Sequence, residues 1–215
     1  MSESAPFGEE TRREARELMA RYPKPRSALL PLLHLVQSVE GYVSPQGIGF
    51  CAEILGLTKA EVGAVATFYT MYKRRPVGDY HVGVCTNTLC AVMGGDAIYA
   101  ALKEHLEVEG QDAITADGTV SLEHIECNAA CDYAPVVMVN WEFFDNQTPG
   151  SARVLVDELR AGRSVTPTRG ADSVCTWREA ERVLAGFYDG RADEGGAAGP
   201  ATLEGLRLAR QEDAS

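Results

Sequence analysis

Basic charge is what this sequence most lacks. Its 215 residues hold 20 Lys and Arg against 31 Asp and Glu, a formal net charge of −11 at pH 7. Nucleic acids and anionic membrane surfaces are bound through basic patches, so the charge argues against both as partners. Long apolar runs are missing too. The longest, Ala28–Val36, is broken by Pro31 and His34, whereas a bilayer span needs about 20 apolar residues. Met1–Pro6 shows no basic segment leading into an apolar one, so no secretion signal is expected. The expectation is a soluble, cytoplasmic chain with no direct membrane insertion. In a reducing compartment paired cysteines serve more often as metal ligands or redox groups than as disulfides.

Several chemical signatures are absent as well. No Cys-x-x-Cys dithiol occurs, which removes the usual disulfide-exchange site. None of His34, His81, His105 or His124 follows a cysteine by two positions, so a Rieske centre has no imidazoles. The run Cys-x-x-Cys-x-x-Cys of bacterial four-iron clusters is missing. No Ser/His/Asp or Cys/His spacing suggests nucleophilic catalysis, and no catalytic residue is assigned. Gly47-Ile-Gly-Phe-Cys-Ala52 formally matches a dinucleotide-binding fingerprint, but it follows a turn between helices rather than a strand, so it is set aside.

What is present is a pair of cysteine pairs. Cys85-Thr-Asn-Thr-Leu-Cys90 is followed, after 36 residues, by Cys127-Asn-Ala-Ala-Cys131. At 45% hydrophobic the chain can bury a core, with room for one or two domains. Residues 9–22 read as a helix with Ala15, Leu18, Met19 and Tyr22 on one face. Ser27 is placed to cap a second helix that Gly41 ends, and Ser44-Pro45 opens a third that runs to Gly56. Thr58 and Glu61 form a capping box for a fourth, from Val62 to about Tyr72. Arg74–Gly78 breaks the pattern and marks a boundary.

Beyond it the period changes. Tyr80–Val84 reads as a strand running into Cys85, Gly94 to about Leu106 as a helix, and Ile114 and Val120–Ile125 as strands, the latter running into Cys127. Pro135–Val139 is a buried strand with Trp141–Phe144 as its hairpin partner. Thr148-Pro149 caps a last helix with Val154, Leu155 and Leu159 facing inward. Each cysteine pair begins where a strand ends, a rigid place from which to present ligands. Thr176 and Glu179 form another capping box, opening a helix to about Phe187. The glycine-rich residues 189–200 suggest a flexible linker and a mobile tail.

Four thiolates in two loops fit two metal centres best, and the ligand count also allows a [4Fe–4S] cluster. A structural zinc site is one, although zinc usually staples small domains and this one has a core of its own. A [2Fe–2S] cluster is the other, since two irons take two thiolates each and two loops match that two-fold shape. No residue between the ligands within either loop is charged, although Glu126 and Asp132 flank the second loop. Backbone N–H groups there can bond the sulfurs and set the potential.

The pattern Cys-x4-Cys, then Cys-x3-Cys-Asp-x-Ala-Pro, resembles the thioredoxin-like [2Fe–2S] subunits of the NADH–quinone oxidoreductase of respiratory complex I, the E subunits of the bacterial enzyme. Gly41-Tyr42, Leu55-Gly56, Ala64–Tyr69, Val84–Asn87, Asp117-Gly118 and Ala134–Val137 extend the likeness across roughly residues 10–162. The resemblance implies an α/β chain, an N-terminal helical bundle followed by a thioredoxin-like ferredoxin domain. It implies a helical domain at 1–76 and the cluster domain at 77–165, while residues 166–215, which the resemblance does not reach, are expected to form a partly disordered extension. Cys85, Cys90, Cys127 and Cys131 would be both cofactor-binding and metal-ligating. FMN and NADH would sit on a partner flavoprotein subunit. Other peripheral-arm subunits would hold the chain at the inner face of the cell membrane. The helical domain would dock on the flavoprotein. An NAD-linked hydrogenase or formate dehydrogenase uses an equivalent subunit, and that alternative stays open, as does a zinc-stapled interaction module. The family usually has glycine where Ala129 stands, so strain is expected if that position takes positive φ. Pro135 sits where thioredoxin-like folds place a cis proline. Cys51 is expected in a helical core, Cys175 as an incidental thiol, and Phe68, Tyr69 and Tyr72 in a core or an interface.

Overall fold

A computed structural model describes residues 7–110, 113–196 and 198–212. The chain divides into two compact units, Met1–Asp79 with Cys175–Asp189, and Tyr80–Val174 with Gly190–Ser215.

The first unit is helical: α1 (Glu9–Ala20), α2 (Leu29–Glu40), α3 (Pro45–Leu55), α4 (Lys59–Phe68) and, from far along the chain, Trp177–Leu184. Local signals set most of the ends. The Ser44 hydroxyl accepts from the Gly47 N–H, the box of Thr58 and Glu61 closes at both bonds, and Gly41 and Gly56 end their helices in the left-handed conformation. Leu18, Leu32, Leu33, Leu35, Val36 and Cys51 are fully buried in one core. Gly47 lies inside α3, where a Cβ would fall 2.3 Å from Val36, so this glycine serves helix packing. Burial pushes the Cys51 thiol up to about 12, the mark of an inert core residue.

Three expectations are corrected here. Ser27 does not cap α2, because Pro25 starts a 3-10 turn, Pro25–Ala28, that feeds directly into it. Helix α4 ends at Phe68 and not near Tyr72. Lys73 instead bonds elsewhere, its carbonyl accepting from the Val43 N–H at 2.7 Å and its own N–H donating to Gln37 Oε1 at 2.6 Å. Tyr22 lies past the end of α1 and is exposed.

The second unit is a five-stranded sheet in the order β2-β3-β1-β4-β5. The strands are β1 (Tyr80–Cys85), β2 (Ala113–Ile114), β3 (Val120–Ile125), β4 (Val137–Val139) and β5 (Glu142–Phe144). β1 and β3 run parallel, with Cys85 opposite Ile125, and the other pairs are antiparallel. α5 (Thr88–Val92) winds inside the first cysteine loop, where no helix was expected. α6 (Gly95–His105) and α7 (Pro149–Arg160) follow. Val82, Val84, Val120, Leu122, Val137 and Val139 point into one apolar core with Ile98 and Leu102 of α6 and Leu155, Val156 and Leu159 of α7. Val154 is exposed, contrary to expectation, because Ala152, Leu155, Val156 and Leu159 already complete the inward stripe.

Residues 166–215 do not stand apart as one extension. α8 (Trp177–Leu184) joins the first unit, where the Trp177 indole donates to the Gly41 carbonyl at 2.8 Å. Its Glu181 carboxyl, fully buried, meets His34 Nδ1 and the Gln37 amide at 2.6 Å each. α9 (Pro200–Glu212) belongs to the second unit. No helix among the described residues is long and apolar enough to cross a membrane.

Candidate metal centre

The parallel pairing of β1 and β3 brings both cysteine loops to one end of the sheet. Cys85 is the last residue of β1, and Cys127 comes two residues after β3 ends. Asn87 donates its amide to the Ile125 carbonyl at 3.2 Å, tying the first loop to the end of the second strand. Cys90 lies in α5 and Cys131 opens a 3-10 turn, Cys131–Tyr133. Cys85 and Cys90 are buried, packed with Ala130, Ala134 and Val136, while Cys127 and Cys131 are exposed.

Within each pair the thiols neighbour each other, Cys85 beside Cys90 and Cys127 beside Cys131. The two pairs also sense each other, Cys90 and Cys131 each carrying the electrostatic influence of the opposite pair. Burial first, then the neighbouring sulfurs, pushes the Cys90 thiol up to about 11, against the backbone N–H of Val136. Cys131 is raised by desolvation, by Cys127 and Cys85, and by Asp132. Negative charge on Cys90 and Cys131 is therefore unfavourable unless cations balance it, and metal binding to them would release protons. Among the described residues no three His, Cys, Asp or Glu side chains converge on one point as a mononuclear ion requires.

Further groups suit a sulfur-rich centre. The Ala129 N–H donates to Cys127 Sγ at 3.4 Å. Asn128 Nδ2, between the ligands of the second loop, is buried without a hydrogen-bond partner among the described atoms, a free donor for an inorganic sulfide. The donor set thus fits a two-by-two iron–sulfur cluster, with Cys85, Cys90, Cys127 and Cys131 as the sulfurs able to hold it. Ala129 does adopt φ 52°, and the Ala134–Pro135 bond is cis. Cys51 and Cys175 belong to the helical unit and are not among the four.

Sequence reasoning missed two residues here. Gly95 opens α6, and a Cβ there would fall 2.4 Å from the Cys85 carbonyl oxygen and 2.9 Å from that of Cys90. The Gly94-Gly95 pair just past the first loop was its visible sign. Asn128 gave none, since burial of its amide depends on the folded loop.

Comparison with known proteins gives the family. The family of thioredoxin-like [2Fe-2S] ferredoxins matches residues 15–160. The chain is 66% identical over 201 residues to the E subunit of the NADH-quinone oxidoreductase of Mycobacterium tuberculosis, covering 93% of this chain and 79% of that one. It is 37% identical over 150 residues to NADH-quinone oxidoreductase subunit 2 of Thermus thermophilus, covering 68% and 82%. An NAD+-reducing [NiFe]-hydrogenase, solved in its air-oxidized state, aligns with a TM-score of 0.55 at 20% identity. That alignment covers 62% of this chain and 23% of the hydrogenase chain, and the likeness is one of fold. With the family match spanning most of the sheet unit and most of the helical one, this chain belongs to the thioredoxin-like [2Fe–2S] ferredoxins.

Proposed function

We propose that this chain is the electron-carrying subunit of an NADH–quinone oxidoreductase and holds one [2Fe–2S] cluster on Cys85, Cys90, Cys127 and Cys131. The observation that carries the reading is the meeting of two thiol pairs at the ends of adjacent parallel strands. The 66% identity to the mycobacterial oxidoreductase subunit over 93% of the chain supports the complex to which it belongs. When bound, the cluster accepts and donates one electron at a time. The chain's own residues supply the rest. β1 and β3 fix the loops, Val136 and Ala129 direct N–H groups at sulfur, and the packing around Cys85 and Cys90 keeps water from that side.

No NADH or flavin site is assigned to this chain. FMN and NADH sit on a partner flavoprotein subunit, which passes electrons singly to the cluster. The chain is held at the inner face of the cell membrane by the other peripheral-arm subunits. The helical unit supplies the docking surface. Phe68 and Tyr69, in edge-to-face contact at 4.9 Å, are 77% and 46% exposed. Exposed aromatics of this kind are frequent anchors of protein interfaces. Affinity capture of the chain from its native membranes tests the assignment. Recovery of an NADH-oxidising, quinone-reducing assembly is expected. A hydrogenase or formate dehydrogenase as the captured partner, or no redox partner at all, would overturn it.

A further inference from the structure

The segment from Gly190 lies beyond the family match, which ends at residue 160, yet it reaches the loop that carries Cys131. Arg191 donates to the Ser173 carbonyl at 3.2 Å, Glu194 accepts from the Asp172 N–H at 3.1 Å, and the Gly196 carbonyl accepts from the Gly170 N–H at 3.2 Å. The start of α9 then arrives at Tyr133. The N–H groups of Ala201 and Thr202 point at its phenol oxygen from 3.1 and 3.4 Å, and the Thr202 hydroxyl donates to Asp132 Oδ2 at 3.4 Å. The first N–H groups of a helix have no partner within it, and here a side chain provides one. A Cβ at Gly199 would fall 2.3 Å from the phenol oxygen, so a larger residue there would have to move the phenol.

Tyr133 is itself held. The Arg169 guanidinium lies 5.1 Å from its ring centre while bonding Asp145 at 3.0 Å, and the Tyr133 carbonyl accepts from the Asn146 N–H at 2.8 Å. Asp132 and Tyr133 share the single 3-10 turn that Cys131 begins. Anything that grips these two residues grips the ligand loop.

Resting on the ligand assignment above, we propose that Tyr133 and residues 199–202 form a clasp that positions the Cys127–Cys131 loop. Tyr133 is a positioning residue, acting on the cluster through Cys131. Loosening the clasp lets the loop open and admits water. A four-thiolate cluster gains negative charge on reduction, so added water favours the reduced state and moves the midpoint potential upward.

The test uses the full chain loaded with its cluster, in wild type and in Tyr133→Phe, Gly199→Ala and Gly205→Ala. Tyr133→Phe removes the acceptor and keeps the ring. Gly199→Ala pushes the helix start and the phenol apart. A Cβ added at Gly205 would meet nothing within 4 Å, so that variant serves as the control. Three quantities are read: bleaching of the cluster by a ferrous chelator, the midpoint potential by redox-titrated EPR, and amide exchange at residues 127–133 in the metal-free chain. The loss of one or two hydrogen bonds gives bleaching about three- to tenfold faster in Tyr133→Phe and Gly199→Ala, with raised potentials, faster local exchange and an unchanged unfolding midpoint. Gly205→Ala behaves as wild type. Bleaching within twofold of wild type in both clasp variants, with unchanged potentials, overturns the clasp and leaves the ligand assignment standing. A wild-type chain that takes up no iron and sulfide overturns both.

Discussion

Replacing Glu181 by alanine tests how firmly α8 is built into the helical unit. The side chain is fully buried, and its carboxyl accepts from His34 Nδ1 and Gln37 Nε2, each at 2.6 Å. Alanine leaves the His34 nitrogen with no acceptor in a buried place, at about 1–3 kcal/mol. Gln37 keeps a second acceptor, the Met71 carbonyl at 3.2 Å, so its loss is nearer the net value of one hydrogen bond, about 1 kcal/mol. Together the substitution should destabilise the helical unit by about 2–4 kcal/mol. Urea unfolding followed by tryptophan fluorescence measures this, because Trp177 lies in the same helix, with its indole bonded to Gly41. Glu181→Gln, which retains an acceptor oxygen, should lose less than half as much. A loss below about 1 kcal/mol for the alanine variant would mean that the Glu181 contacts do not key α8 to α2.

Three further outcomes follow from the same reasoning. Ala129→Gly releases a left-handed alanine, φ 52°, worth about 1–2 kcal/mol, against about 0.4–1 kcal/mol of added unfolded-chain entropy. The metal-free chain should gain between about 0 and 1.6 kcal/mol in chemical denaturation, and a destabilised variant contradicts the strain. Phe68→Ala with Tyr69→Ala should leave iron content and EPR unchanged while cutting recovery of the flavoprotein at least about tenfold; undiminished recovery places the docking surface elsewhere. Asp117 is held well below the usual carboxylate range by the Thr115 hydroxyl, then by the Thr119 N–H and Arg160. A depressed folded value gives stability that is present above the unfolded value, about 3.9, and is lost as pH falls below it. Asp117→Asn should therefore flatten the decline in thermal stability below about pH 4, and an acid limb identical to wild type would show that the turn does not carry that dependence.

The features legible in the sequence were those written within a few residues. Ser44, the boxes at Thr58 and Thr176, and the left-handed ends at Gly41 and Gly56 each depend on atoms one turn away, so local pattern sufficed. The cysteine pairs were legible for the same reason, each starting at a strand end that alternation made visible. What escaped was decided at long range. Glu181 reads as one more surface charge on an amphipathic helix until His34 and Gln37, far earlier in the chain, are seen to enclose it. Gly199 reads as linker until Tyr133 is placed against it, and Gly95 as a spare glycine until the Cys85 carbonyl is. Deleting residues 1–75 to probe docking would also strip α8 of the helix it packs on, which makes Phe68 and Tyr69 the cleaner perturbation.

The central claim is that sulfur from positions 85, 90, 127 and 131 holds two bridged irons. Metal and acid-labile sulfide analysis of the anaerobically purified chain, joined to EPR after dithionite reduction, addresses it most directly. Two irons and two sulfides per chain, with a one-electron signal that disappears when Cys85 and Cys127 are changed to serine together, is the expected result. A single zinc with no sulfide and no signal in the reduced protein would contradict it.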